Sequence, residues 1–112
     1  MTFSTTAKEI LVTRVRATKD ALEVKFNDGR SVSLPIHWFP RLLHGSLKER
    51  NTWQLNGDGF GIHWPLLDED LSAASLLAGR RSRESAQSFQ RWLQVRRRNR
   101  RLRVRSRRKA VA

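Results

Sequence analysis

The chain reads as an α+β protein: a small antiparallel sheet with a β-hairpin, short helices on one side of it, and a C-terminal helix running into a basic tail. Three observations predict this. "ALEVKFNDGRSVSLP" alternates apolar and polar residues on both sides of a turn sequence. "FPRLLHG" and "LSAASLLAG" carry apolar residues at helical spacing and end on glycine. Charge is not spread along the chain but collected at its end.

Residues 1–7 are small and polar and are expected to be loose. "EILVTRVRAT" is rich in β-branched residues and reads as a first strand. In the next segment Leu22, Val24 and Phe26 alternate with Glu23 and Lys25, and Val32 and Leu34 alternate with Ser31 and Ser33. Asn27, Asp28 and Gly29 between them tolerate the positive φ of a tight turn, so this is a hairpin with one apolar face. Pro35 ends its second strand. Trp38, Phe39, Leu42 and Leu43 then predict a short helix starting near Phe39, because Pro40 suits only a first turn, with Gly45 as a left-handed cap. Ser46 and Glu49 form a capping box for one more helical turn. "WQLNGDGFGIHWP" returns to strand character around a glycine-rich bend. Ser72 caps a short leucine helix that Gly79 stops, and Ser82 is placed to cap a last helix in which Ala86, Phe89 and Leu93 share a face. The expected order is three strands, short helices, one or two strands, then helix.

Residues 1–79 hold nine Lys/Arg and nine Asp/Glu, a net charge of zero. Residues 80–112 hold fourteen Lys/Arg against the single acid Glu84, so the whole formal charge of +13 lies there. The expected division is therefore a neutral α+β domain, 1–79, followed by a helix and arginine-rich tail, 80–112. Without cysteine there is no disulfide framework and no thiolate zinc site. No stretch reads as a signal peptide or membrane span, and a cytoplasmic location is expected.

Thirteen of the fourteen basic residues after Gly79 are arginine. Guanidinium is a planar fork that matches phosphate oxygens and stacks on bases, so the tail points to nucleic acid, RNA or DNA. The candidate contacts are Arg91, Arg96, Arg97, Arg98, Arg100, Arg101, Arg103, Arg105, Arg107, Arg108 and Lys109. Phosphate contacts position a protein and carry little sequence information. Beyond Trp92 and Leu93 the tail is expected to fray in isolation.

His63 with Asp68, Glu69 and Asp70 invites a metal or acid–base reading, but no ligand pair stands at recognised metal spacing. The acidic trio is better placed as the negative flank of the Ser72 helix. "NGDGFG" lacks a following Lys-Ser/Thr and is not a phosphate loop. Trp38, Trp53 and Trp64, with His63, are either core of a small domain or a surface for a protein partner. No cofactor and no catalytic residue is expected.

Asp28-Gly29, Trp38 to Leu42, Gly61 to Pro65, Asp68 to Asp70 and Leu76-Leu77 together resemble the bacterial family catalogued as domain of unknown function 2442. The resemblance covers roughly residues 8–79 and extends toward residue 94. It implies a small α+β domain of bacterial or phage origin without an established activity. Family genes often neighbour those of another small family, which implies an antitoxin-like alternative: binding and neutralising a protein partner encoded nearby. The expectation carried forward is a non-enzymatic protein that binds nucleic acid through its tail, with the domain as scaffold or partner platform.

Overall fold

The computed structural model describes residues 9–111, with side chains described through residue 104. The expected looseness of residues 1–7 lies outside that range. The chain forms two compact units that divide between Ser82 and Arg83.

The first unit contains two three-stranded antiparallel sheets. In the first, β1 (Val12–Ala17), β2 (Ala21–Phe26) and β3 (Ser31–Pro35) lie in the order β1-β2-β3. In the second, β4 (Gln54–Asn56), β5 (Gly61–Trp64) and β6 (Glu69–Ser72) lie in the order β4-β5-β6. Between them the chain makes a 3₁₀ turn, Ile36–Trp38, and two short helices, α1 (Pro40–His44) and α2 (Leu47–Arg50). Helix α3 (Ala73–Leu77) follows β6. The hairpin turn between β2 and β3 uses Gly29 at φ 92°, as its turn sequence requires. Leu22, Val24, Phe26 and Leu34 are buried, while Lys25, Ser31 and Ser33 are exposed.

The first strand departs from simple alternation. Val12, Val15 and Ala17 are buried, a spacing of three and then two. A β-bulge explains it: Val12 pairs with Phe26 and Arg14 with Lys25, leaving Thr13 as the extra residue. Without the bulge, Arg14 and Arg16 would share the buried face of Val12. With it, both face solvent. Val12 also joins the two sheets, its N–H donating to the Gly59 carbonyl at 2.8 Å.

Arg50 is buried, only 7% exposed, and its guanidinium is met by backbone carbonyls. Nε donates to Leu42 O at 2.7 Å, one terminal nitrogen to Thr18 O at 2.9 Å and Lys19 O at 3.2 Å, and the other to Leu43 O at 2.9 Å. The Leu42 and Leu43 carbonyls belong to the last turn of α1, and Leu42 O also accepts from Gly45 N at 3.1 Å. Arg50 thus ties the end of α1 to the β1–β2 connection. Its own carbonyl accepts the Trp64 indole N–H at 2.8 Å, so the second sheet joins the same node. Asn51 exchanges two further bonds with the backbone of Ala17, each 3.0 Å.

Several local expectations are corrected. Gly45 is not a left-handed cap: its φ is −76°. The glycine serves close packing instead, since a Cβ there would lie 2.8 Å from a methyl of Leu67. Glu69 and Asp70 are not a flank of α3 but part of β6, an edge strand paired with β5, and α3 has no acid in its first turn. Ser72 does cap α3, accepting from Ser75 N at 3.1 Å. Ser46 and Glu49 form the expected capping box. Ser82 does not cap the last helix, which begins only at Ala86; its N–H donates to the Trp38 carbonyl at 3.1 Å.

The second unit is helix α4 (Ala86–Val111), 26 residues long. Ser85 caps it, its hydroxyl accepting from Ser88 N at 3.1 Å.

Candidate nucleic-acid interface

The basic tail is helical, where fraying beyond Trp92 was expected. Arginine is among the better helix formers, and no glycine or proline follows Gly79 to interrupt the pattern. Cations concentrated toward the C-terminal end also favour the helix dipole. At 1.5 Å per residue α4 is about 39 Å long, more than one turn of duplex DNA.

Arg91, Arg97, Arg98, Arg100, Arg101 and Arg103 are exposed along it. Arg96 is half-buried, with its guanidinium carbon 5.3 Å from the Trp92 ring centroid. That ring in turn stacks on Phe89, centroid to centroid 5.6 Å. Trp92 is thereby engaged within its own helix, and Leu93 is buried. The side chains of Arg105, Arg107, Arg108 and Lys109 lie outside the described residues; their backbone continues the helix. Glu84, the acid of this unit, accepts from the Ser88 hydroxyl at 2.8 Å at the opposite end.

The arginines do not surround the helix evenly. Trp92, Val95, Asn99 and Leu102 follow one another at spacings of three and four, which places them within a stripe about 80° wide. Among the described side chains no basic residue projects from that stripe. Arg91 and Arg98 border it on one side, Arg96 and Arg103 on the other, each about 60–80° from its midline. Counting charge in the sequence missed this; reading the gaps between arginines at helical period would have found it.

The four residues considered as a partner surface separate. Trp64 is fully buried and belongs to the core, which removes it from any surface. Trp38 is half-buried beneath the Arg81 guanidinium, 4.8 Å from ring centroid to guanidinium carbon, and Trp53 is half-buried. His63 lies on the outer face of the second sheet, its Nδ1 3.0 Å from Asp70 Oδ1 on the neighbouring strand, with Asn56 Nδ2 donating to the same oxygen at 3.3 Å. Asp68 is drawn elsewhere, its carbonyl accepting from Arg41 at 2.6 Å. Among the described residues no three His, Cys, Asp or Glu side chains converge as metal ligands. No helix there is long and apolar enough to cross a membrane.

The family model described as "Protein of unknown function (DUF2442)" matches residues 12–82. The chain belongs to the DUF2442 family. The family match ends at the residue where the first unit ends, so α4 lies outside it. A similar solved structure, a protein of unknown function from Rhodospirillum rubrum ATCC 11170 at 2.75 Å resolution, is 25% identical with a TM-score of 0.59. The match covers 69% of this chain and 95% of that one. No curated protein matches the chain. The two sheets and three short helices are therefore the DUF2442 domain, and α4 is what this chain carries beyond it.

Proposed function

We propose that this DUF2442 protein is a non-enzymatic nucleic-acid-binding protein that holds phosphates with helix α4. One observation carries the reading: six exposed arginines within thirteen residues of a single helix, with no carboxylate anywhere after Glu84. Such a helix gains nothing from folding onto itself and repels its own kind. Each guanidinium that meets a phosphate releases condensed counterions, which is the main driving force for binding of this type. The DUF2442 domain, neutral over residues 1–79, acts as the scaffold that presents the helix.

The test replaces Arg96, Arg97, Arg98, Arg100 and Arg101 with glutamine, which retains helix propensity and removes five charges. Binding of labelled duplexes is followed by fluorescence anisotropy, and circular dichroism checks that the helix and sheets remain. Loss of binding by a folded variant is the expected result. A folded variant that binds as tightly as the wild type contradicts the proposal.

A further inference from the structure

The uncharged stripe of α4 is the feature that phosphate binding leaves unexplained. Between two runs of arginine, Arg96 to Arg98 and Arg100 to Arg101, stands Asn99, a poorer helix former that competes with the backbone for hydrogen bonds. It is exposed, and its side-chain amide makes no hydrogen bond among the described residues. One turn to either side on the same stripe are Val95, 51% exposed, and Leu102, 53% exposed. Leaving two apolar side chains in water amid arginines has no benefit for the isolated helix. A partner must make sense of the stripe, and its arginine borders limit what that partner is. A second copy of α4 placed seam to seam would set Arg91, Arg96, Arg98 and Arg103 against their own equivalents, which like-charge repulsion opposes. The partner has to be anionic at both borders and uncharged, with hydrogen-bonding and apolar groups, between them.

The major groove of B-form DNA has that arrangement: phosphate walls on each side and a floor of base edges. It is about 12 Å wide, and a helix with its side chains is about 10–12 Å across. The A-form groove of duplex RNA is too narrow and deep for a helix to read. We infer that α4 lies in the major groove of duplex DNA with Asn99 facing the base edges, an inference that rests on the phosphate-binding reading above and gives it a substrate and a preference. Arg91 and Arg98 then reach one phosphate wall, Arg96 and Arg103 the other. Asn99 presents an amide with both donor and acceptor, the pair that matches N6 and N7 of adenine. From Val95 to Leu102 the helix rises about 10 Å, the height of about three base pairs. The two apolar side chains therefore fall on the steps flanking the adenine, where the groove-floor group they fit is the thymine methyl. The expected preference is a short A·T-containing core.

The experiment uses the full chain and three kinds of duplex of one length: DNA, the same DNA with deoxyuridine in place of thymidine, and RNA. It is paired with selection from a DNA pool randomised over six base pairs. The wild type is expected to bind DNA more tightly than RNA, to weaken when the thymine methyls are removed, and to select sites with an adenine beside thymines. Asn99→Ala should lose roughly five- to 150-fold of the preference for the adenine-containing site, the discrimination one bidentate pair supplies, while keeping its affinity for random DNA and its salt slope. Val95→Ala and Leu102→Ala should abolish the difference between thymidine and deoxyuridine duplexes. Steep, salt-dependent binding without base preference, unchanged in Asn99→Ala, overturns the groove-reading inference and leaves phosphate binding standing. Equal affinity for DNA and RNA overturns it as well. Absence of any nucleic-acid binding by the wild type overturns both readings. Preferential binding of a synthetic acidic amphipathic helix over duplex DNA assigns the stripe to a protein and overturns the inference.

Discussion

Replacing Arg50 with alanine tests whether one buried cation holds the DUF2442 domain together. The guanidinium makes four contacts with carbonyl oxygens, from 2.7 to 3.2 Å. A hydrogen bond involving a charged group contributes about 1.5–3 kcal/mol net, so simple addition would give at least about 6 kcal/mol. That sum is too large. The Thr18, Lys19 and Leu43 contacts are only partly buried, and after truncation water can reach those carbonyls. The fully buried Leu42 bond and the packing of the side-chain stem are lost outright. A cost of about 3–5 kcal/mol follows, as for removal of one partner from a buried polar cluster. With a urea m-value of about 1.5 kcal/mol/M the midpoint should fall by about 2–3 M. Arg50→Lys keeps the charge but cannot span carbonyls from both α1 and the β1–β2 connection, and should fall between the two. Urea titration followed by tryptophan fluorescence reads both variants, because the Trp64 indole is bonded to the Arg50 carbonyl. A cost for Arg50→Ala below about 1 kcal/mol would show that the carbonyls are rehydrated freely and that the node is not structural.

Gly59→Ala should destabilise by more than about 2 kcal/mol, because φ is +117° and a Cβ there collides with the carbonyl of Val12, the residue whose N–H joins the two sheets; thermal melts measure it. Lys25→Thr should stabilise by about 0.2–1 kcal/mol, since Lys25 lies directly across from Arg14 on the exposed face; denaturant midpoints decide, and a loss of stability would mean the lysine stem packs usefully. Asp28 should titrate below the ordinary aspartate range, held down first by the Arg30 backbone N–H at 3.0 Å and then by the Arg30 side chain at 2.6 Å. A depressed carboxyl stabilises the folded state above its unfolded pKa and loses that contribution as pH falls through its folded pKa, so the effect is confined to acid conditions. In an NMR titration, Arg30→Ala should return the Asp28 pKa only part of the way, because the backbone donor remains.

Where local chemistry decided the structure, the sequence was readable. The β2–β3 hairpin followed from strict alternation around Asn27-Asp28-Gly29, and the α2 start from Ser46 and Glu49. Reading failed where a distant contact decided. Gly45 resembles a helix cap, yet its small size answers to Leu67, twenty-two residues on. Glu69 and Asp70 resemble a helix flank, but pairing with β5 drew them into an edge strand, which tolerates charge. Thr13 as a bulge could not be seen without knowing the partner strand. Arg50 was invisible because a buried arginine without a carboxylate has no sequence signature. The arginines of the candidate site were plain from composition, whereas the stripe between them required knowing that the helix continues past Trp92.

The most direct measurement of the central claim is the affinity of the full chain for a short duplex DNA as a function of salt. With Arg91, Arg96, Arg98 and Arg103 on phosphates, log K should fall against log[salt] with a slope of about −4. A slope near zero, or no binding at physiological salt, would contradict the assignment of α4 as a nucleic-acid interface.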